Sequence, residues 1–260
     1  MKKAATFILV FIFVFSTFCA CSPKKKETYQ GRLKPGSAEY LLNEGLFYLS
    51  AGDLDQAEKK LQKALKKKDT LLGAINGLAV VYLQKRDFKK ALEYFKKVVR
   101  TDPESWDTYN YMGVIYTELG EYDLAKENLL RAASSKKYRT PENAYVNLAL
   151  LEIRQERYEA ALRYVEKGLE ENDRFPPLCN LMGVILEHEN KYPEAMVWYE
   201  KALSLLTEED VSYLLNIGRL YGKMGQKDKA LDTLEKALGK AFSPEIKEQV
   251  RAMIKELESQ

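Results

Sequence analysis

The chain has 260 residues, 41 of them basic and 38 acidic, for a net charge of +3, and a single histidine. Charge this close to balance lacks the clustered cations of a nucleic-acid binder, so no nucleic-acid partner is expected. One histidine, no phosphate-cradling glycine loop and no paired-cysteine motif leave little for catalysis or metal binding. We therefore expect a protein that is not an enzyme and that carries no cofactor and no metal.

Lys2 and Lys3 precede an apolar run from Phe7 to Phe15, followed by Ser16, Thr17, Phe18, Cys19, Ala20 and Cys21. A charged start, a short apolar middle and a small residue before the cut mark a secretory signal peptide, here residues 1–20. The run is shorter than the roughly 20 apolar residues a spanning helix needs. Phe18-Cys19-Ala20-Cys21 resembles a bacterial lipobox, and the resemblance implies that Cys21 is the lipid attachment site and the first mature residue. Ala20 fits that pattern, whereas Phe18 stands in for Leu and Cys19 for a small residue. The alternative is ordinary cleavage that leaves a secreted, unlipidated protein. Cleavage removes Lys2 and Lys3 and brings the net charge to +1.

Residues 21–37 read as a lipidated flexible tether. Pro23, Gly31, Pro35 and Gly36 break any periodicity, and a loose chain of this length spans roughly 20–25 Å. Lys24-Lys25-Lys26 sits beside the lipid, where each lysine adds about 1 kcal/mol of attraction to anionic headgroups. Lys66-Lys67-Lys68 reads instead as the solvated end of a helix, where cations complement the dipole. Ser22 after the cysteine resembles the sorting signal for the outer membrane, facing the periplasm, in bacteria with two membranes.

From residue 38 the chain repeats. Ala57, Ala91, Ala125, Ala161, Ala195 and Ala230 recur at steps of 34, 34, 36, 34 and 35 residues. Small residues recur twelve positions earlier, at Gly45, Ala79, Gly113, Ala149, Gly183 and Gly218. Large ones accompany them, as in Tyr48 with Leu61, Tyr82 with Phe95 and Tyr116 with Leu129. Phe88, Tyr122, Tyr158 and Tyr192 add an aromatic wedge. Each unit is two short amphipathic helices that meet at the small residues, and one such hairpin cannot bury its face alone. The pattern resembles the tetratricopeptide repeat, whose length is 34 residues. It predicts an all-α solenoid of six helix-turn-helix repeats with a C-terminal capping helix. The repeats are assigned to 38–71, 72–105, 106–141, 142–175, 176–210 and 211–243, and the capping helix to 244–260. Glu44, Glu152, Leu186 and Gly168 depart from the residues usual at their positions.

Several junctions carry helix-start signals. Asp102-Pro103, Thr140-Pro141 and Ser243-Pro244 each offer a capping side chain followed by proline at the first helical position. Thr207 with Asp210 approximates a capping box. Cys179 falls on an apolar position and reads as a buried free thiol.

Function then rests on binding. The first helices of this repeat line its concave side, where Leu46, Val80, Val114, Leu150 and Val184 form an apolar row. Asn76, Asn110 and Asn180 flank that row, and side-chain amides can both donate to and accept from a peptide backbone. We expect these eight residues to form a protein-binding groove. The lysine and asparagine pattern of carboxylate-clamp members of the family is absent, so chaperone-tail binding is not expected.

Signal peptide, lipid cysteine, short tether and six repeats with an extended third one resemble the type IV pilus assembly lipoproteins that escort the outer-membrane secretin. The likeness is strongest from Leu129-Leu130-Arg131-Ala132 through Thr140-Pro141-Glu142 to Asn147-Leu148-Ala149-Leu150. It implies an adaptor that binds a secretin subunit or another envelope protein and is held to the membrane through its N-terminal lipid. The other reading is an anchored adaptor for outer-membrane-protein or peptidoglycan machinery.

Overall fold

A computed structural model describes residues 33–259. The signal peptide, Cys21 and most of the tether lie outside the described residues. Among those described there are thirteen helices and no strand. They divide into two compact units that meet in sequence at Arg139 and Thr140. The N-terminal unit holds α1 (Ala38–Ser50), α2 (Leu54–Lys67), α3 (Leu72–Gln84), α4 (Phe88–Thr101), α5 (Trp106–Leu119) and α6 (Tyr122–Ala133). The C-terminal unit holds α7 (Pro141–Arg154), α8 (Tyr158–Glu171), α9 (Pro176–His188), α10 (Tyr192–Ser204), α11 (Val211–Lys223), α12 (Lys227–Lys240) and α13 (Pro244–Glu258). None of these helices is long and apolar enough to cross a membrane.

Each odd-numbered helix from α1 to α11 pairs with the helix that follows it, and the pairing is tight at the small residues. All six recurring alanines are fully buried. A Cβ added at Gly45 would lie 2.6 Å from Leu61, one at Gly113 2.5 Å from Leu129, and one at Gly183 2.5 Å from the Tyr199 ring. Glycine there leaves the space that the facing Leu61, Leu129 or Tyr199 side chain fills, whereas Ala79 and Ala149 carry a methyl at the same place in their repeats. Gly168 has the same reason for being small: its Cβ would press on Leu178 of α9 at 2.6 Å and Tyr145 of α7 at 2.9 Å.

The turn inside each hairpin repeats as regularly as the contact. Gly52, Arg86, Gly120, Glu156, Asn190 and Gly225 occupy the same place in the six repeats, and all have positive φ, between 58° and 79°. Glycine takes that conformation without strain, asparagine tolerates it, and arginine and glutamate adopt it at a conformational cost.

Two of the departures from the repeat pattern are carboxylates within ion-pair distance of a cation. Lys60 holds Glu44 at 2.9 Å, and Arg157 lies 3.5 Å from Glu152, which is fully buried. In the C-terminal unit α13 closes the stack. Its Val250 is buried, and Ile246, Met253, Ile254 and Leu257 pack on Leu214, Leu215 and Leu234. Its Glu248, Arg251 and Lys255 face solvent.

The helix starts differ in part from expectation. Ser243 caps α13 as read, accepting from the Ile246 amide at 3.2 Å with Pro244 in the first turn. Thr140 stands at the start of α7, before Pro141, but its side chain makes no capping bond. Asp102 instead ends α4, and its carboxylate accepts from the Glu104 amide in a tight turn; α5 begins only at Trp106, three residues after Pro103. Thr207 is exposed in the loop, and Asp210 itself caps α11 by accepting from the Ser212 amide at 2.8 Å. Both junctions are loops that turn before the next helix starts; α5 then begins after Ser105 with no side-chain cap, and α11 takes its cap from Asp210, the residue next to it.

Contact and turn make separable demands. Gly183→Ala forces a methyl into a buried aromatic ring and should cost about 1–3 kcal/mol, the usual range for overpacking. Gly120→Ala meets no atom within 4 Å, so only backbone strain remains, about 1 kcal/mol. Urea denaturation of the two variants tests the order; a larger loss for Gly120→Ala would show that the turn is the tighter constraint.

Candidate protein-binding face

In the N-terminal unit, the first helices α1, α3 and α5 carry Leu46, Asn76, Val80, Asn110 and Val114. Leu46 is exposed, yet its Cδ2 reaches to within 3.4 Å of where a Gly77 Cβ would stand, so it lies against α3. Val114 is half-buried. Val80 is only 3% exposed and offers a partner the least of the row. Asn110 is buried as well. Asn76 is half-buried, and its side-chain oxygen is shielded from solvent without a hydrogen-bond partner in the protein. A buried acceptor left unmade is expensive, about 1–3 kcal/mol. Tyr111 adds an aromatic edge beside Asn110, stacked on Phe95 with ring centroids 5.4 Å apart. Burial raises the Tyr111 hydroxyl far above its ordinary pKa, with the nearby Asp107 charge adding to the effect.

In the C-terminal unit, Leu150 and Val184 are half-buried and pack against adjacent core clusters. Asn180 takes part in a polar chain that sequence reasoning missed. Its oxygen accepts from the Asn216 amide at 2.9 Å, and the Asn216 oxygen accepts from Arg219 at 3.2 Å. Arg219 then holds Glu187 through two bonds, at 3.0 and 2.9 Å. Glu187 also accepts from Tyr199 at 2.7 Å and pairs with Lys223 at 2.9 Å. Glu187 is 5% exposed. Burial pushes its pKa up, but the Arg219, Lys223 and Tyr199 contacts outweigh burial and hold it below the usual carboxylate range. The signal in the sequence was Arg219 itself, which breaks the apolar row in the sixth repeat.

Neither candidate for reactive chemistry is arranged for it. His188 is exposed and stacked flat on Tyr158, centroids 3.5 Å apart. Cys179 is fully buried, with its thiol raised by desolvation. Among the described residues no group of histidine, cysteine and carboxylate side chains is placed to hold a metal ion.

Comparison with known proteins accords with this architecture. Tetratricopeptide repeat profiles match residues 73–105, 94–127, 112–177, 146–209 and 211–239. The type IV pilus assembly protein PilF of Pseudomonas aeruginosa is 27% identical over 200 residues, 77% of this chain and 78% of that protein. The solved structure of Pseudomonas aeruginosa PilF superposes with a TM-score of 0.67 at 24% identity, covering 83% of this chain and 97% of that one. PilW, described as a widely conserved type IV pilus biogenesis factor, superposes with a TM-score of 0.70 at 19% identity, covering 82% and 97%. At those identities the two structures speak for the fold.

Glu187 and Arg219 join the fifth and sixth repeats, so removing the cation alone should be costly. Arg219→Leu strands a buried carboxylate, and loss of one member of a buried pair typically costs 3–5 kcal/mol. Lys223 remains, which places the expectation near 3 kcal/mol. The pH dependence has a definite sign. A carboxylate with a depressed folded pKa stabilises above its unfolded pKa, and that stability is lost as pH falls through the folded value. In Arg219→Leu the depression shrinks, so acid unfolding of the C-terminal unit should begin at higher pH, read by the helical circular dichroism signal. An unchanged acid transition would refute the assignment of Glu187 as an ionised partner.

Proposed function

The chain belongs to the tetratricopeptide repeat family, and on that premise we propose a lipid-anchored scaffold of the bacterial envelope that assists assembly or stability of a type IV pilus secretin machine. The repeat scaffold is a protein-binding architecture, related to the pilus biogenesis factors PilF and PilW. The finer reading draws on the signal-peptide pattern, the cysteine at its end and the similarity to a pilus assembly protein over most of both chains. The partner is a secretin subunit or a neighbouring envelope protein.

One observation carries the binding surface: Leu46 and Val114 stay partly open to solvent on the first helices of the N-terminal unit. An apolar side chain seated on Leu46 or Val114 covers surface that the fold leaves open. Leu150, Asn180 and Val184 extend the proposal to the C-terminal unit. Asn180 already bonds Asn216 there, so the apolar pair is the larger contributor.

Burying one such side chain is worth about 1.5–3 kcal/mol, and 1.4 kcal/mol is tenfold in affinity. Leu46→Asp with Val114→Asp should therefore weaken capture of a purified secretin subunit by well over tenfold while leaving the helical signal intact. Unchanged affinity in the folded double variant would move the working surface elsewhere. The anchor is tested separately. Cys21→Ser should abolish incorporation of labelled palmitate, and persistent labelling would show that the acylated residue is another one.

A further inference from the structure

We propose that the second-helix ends of the N-terminal unit form a basic edge that seats on an anionic lipid surface. The inference rests on the lipid-anchor reading, which is what brings this edge to a bilayer.

The edge is continuous through contacts within the unit. Lys68, at the end of α2, pairs with Glu39 in the first turn of α1 at 3.3 Å. Asp69 and Thr70, which follow Lys68, share an open cleft with Lys97, Arg100 and Thr101 of α4. Beyond α4, Glu104 is bonded by Lys137 from the loop after α6, and the Tyr138 hydroxyl donates to Asp107 at 3.0 Å. The start of α1, the end of α4 and the loop after α6 thus lie along one side. Its carboxylates are Glu39, Asp69, Asp102, Glu104 and Asp107, and two of them are occupied by Lys68 and Lys137. Lys66, Lys67, Arg100 and Lys136 are exposed and form no ion pair among the described residues. Four free cations face three remaining carboxylates, Asp69, Asp102 and Asp107, so the edge keeps a small positive surplus in a protein that is nearly neutral as a whole.

Helix dipoles favour cations at every helix end, but that alone does not account for the pattern. The equivalent ends and loops after α8 and α10 carry Glu170, Glu171 and Asp173, and Glu208, Glu209 and Asp210. The fold accepts either sign at these places; α12 also ends in cations, Lys236 and Lys240, but Glu209 holds both, whereas the free cations named above belong to the first three repeats. Those are the repeats that the tether reaches first. Residues 33–37 lead directly into the first turn of α1, which is on this edge, and Lys24-Lys25-Lys26 lies a few residues upstream. A chain held by lipid at residue 21 delivers the basic side of its first unit to the headgroups, within reach of a screening length of about 8 Å at physiological salt.

The test uses the mature polypeptide begun at Ser22, so that no acyl chain contributes, and vesicles of phosphatidylcholine with or without phosphatidylglycerol. Binding should require phosphatidylglycerol and weaken as salt rises. Lys67→Glu, Arg100→Glu and Lys136→Glu together should lower it at least tenfold. The same charge change at Lys59, Arg86 and Lys89, exposed residues in or just before the first halves of α2 and α4, should lower it less than threefold. The neutral set Lys67→Gln, Arg100→Gln and Lys136→Gln should move binding in the same direction, which covers the case of a misfolded reversal. Equal losses from the two reversed sets, binding indifferent to phosphatidylglycerol, or a preference for a single-stranded polynucleotide at the same salt would each overturn the proposal. Acyl labelling separates the two readings. Labelled Cys21 with no edge-dependent vesicle binding sinks the edge alone, and edge-dependent binding without labelling sinks the anchor alone.

Discussion

Everything in this architecture depends on the distance at which two antiparallel helices can meet. Gly45 against Leu61, Gly113 against Leu129 and Gly183 against Tyr199 leave no room for a methyl group. The fully buried alanines hold the other side of the same contact. Close approach brings large side chains at neighbouring positions into register, and these present the apolar surface on which the next hairpin stacks. A hairpin with a wider crossing would lose both its own core and its neighbour's seat. The small residues are therefore the most regular feature of the chain, and Gly168, which looked like a departure, obeys the same steric rule against Leu178 and Tyr145.

That constraint is local and periodic, which is why the fold was legible from residues alone. Six alanines at a nearly fixed step imply the hairpins, and the helices fall where the periodicity places them. The left-handed turn position was harder to see. Glycine marks it in three repeats, but Arg86, Glu156 and Asn190 fill it elsewhere, so composition announces only half of the turns. Junction details failed for a related reason. Asp102-Pro103 has the residues of a helix start, yet the chain needs a turn between α4 and α5, and the carboxylate serves that turn instead.

The binding face was legible only in outline. Position along the repeat identifies which side chains sit on the first helices, but not how deeply neighbours cover them. Val80 and Val114 hold equivalent positions, yet one is core and the other half-open. Asn76 and Asn180 likewise share a position. One keeps a buried, unpaired oxygen and the other is bonded to Asn216. The Asn180 contact comes from a residue a repeat away, Asn216, which Arg219 ties to Glu187 and so to Lys223 in one polar chain. Such a chain stabilises one arrangement of two repeats and consumes groups that a ligand would otherwise meet.

Charge shows the same division between what a linear reading sees and what folding sorts. Along the sequence, lysines and carboxylates alternate and nearly cancel. Folding gathers the ends of α2, α4 and α6 on one side of the N-terminal unit, where neighbouring loops touch through Lys137 and Glu104. Asp53 and Asp87 stand at the opposite ends of α2 and α4, where their side chains cap the helix starts, while Asp69 and Asp102 offset only part of the charge of Lys66, Lys67 and Arg100. The asymmetry thus follows from helix chemistry at one end, since the caps require acceptors there. At the other end the dipole permits cations but does not demand them, as the carboxylates after α8 and α10 demonstrate. Free cations that the fold leaves optional, gathered on the repeats nearest the tether while those at the end of α12 are taken by Glu209, are the kind of feature that a nearby surface explains better than stability does.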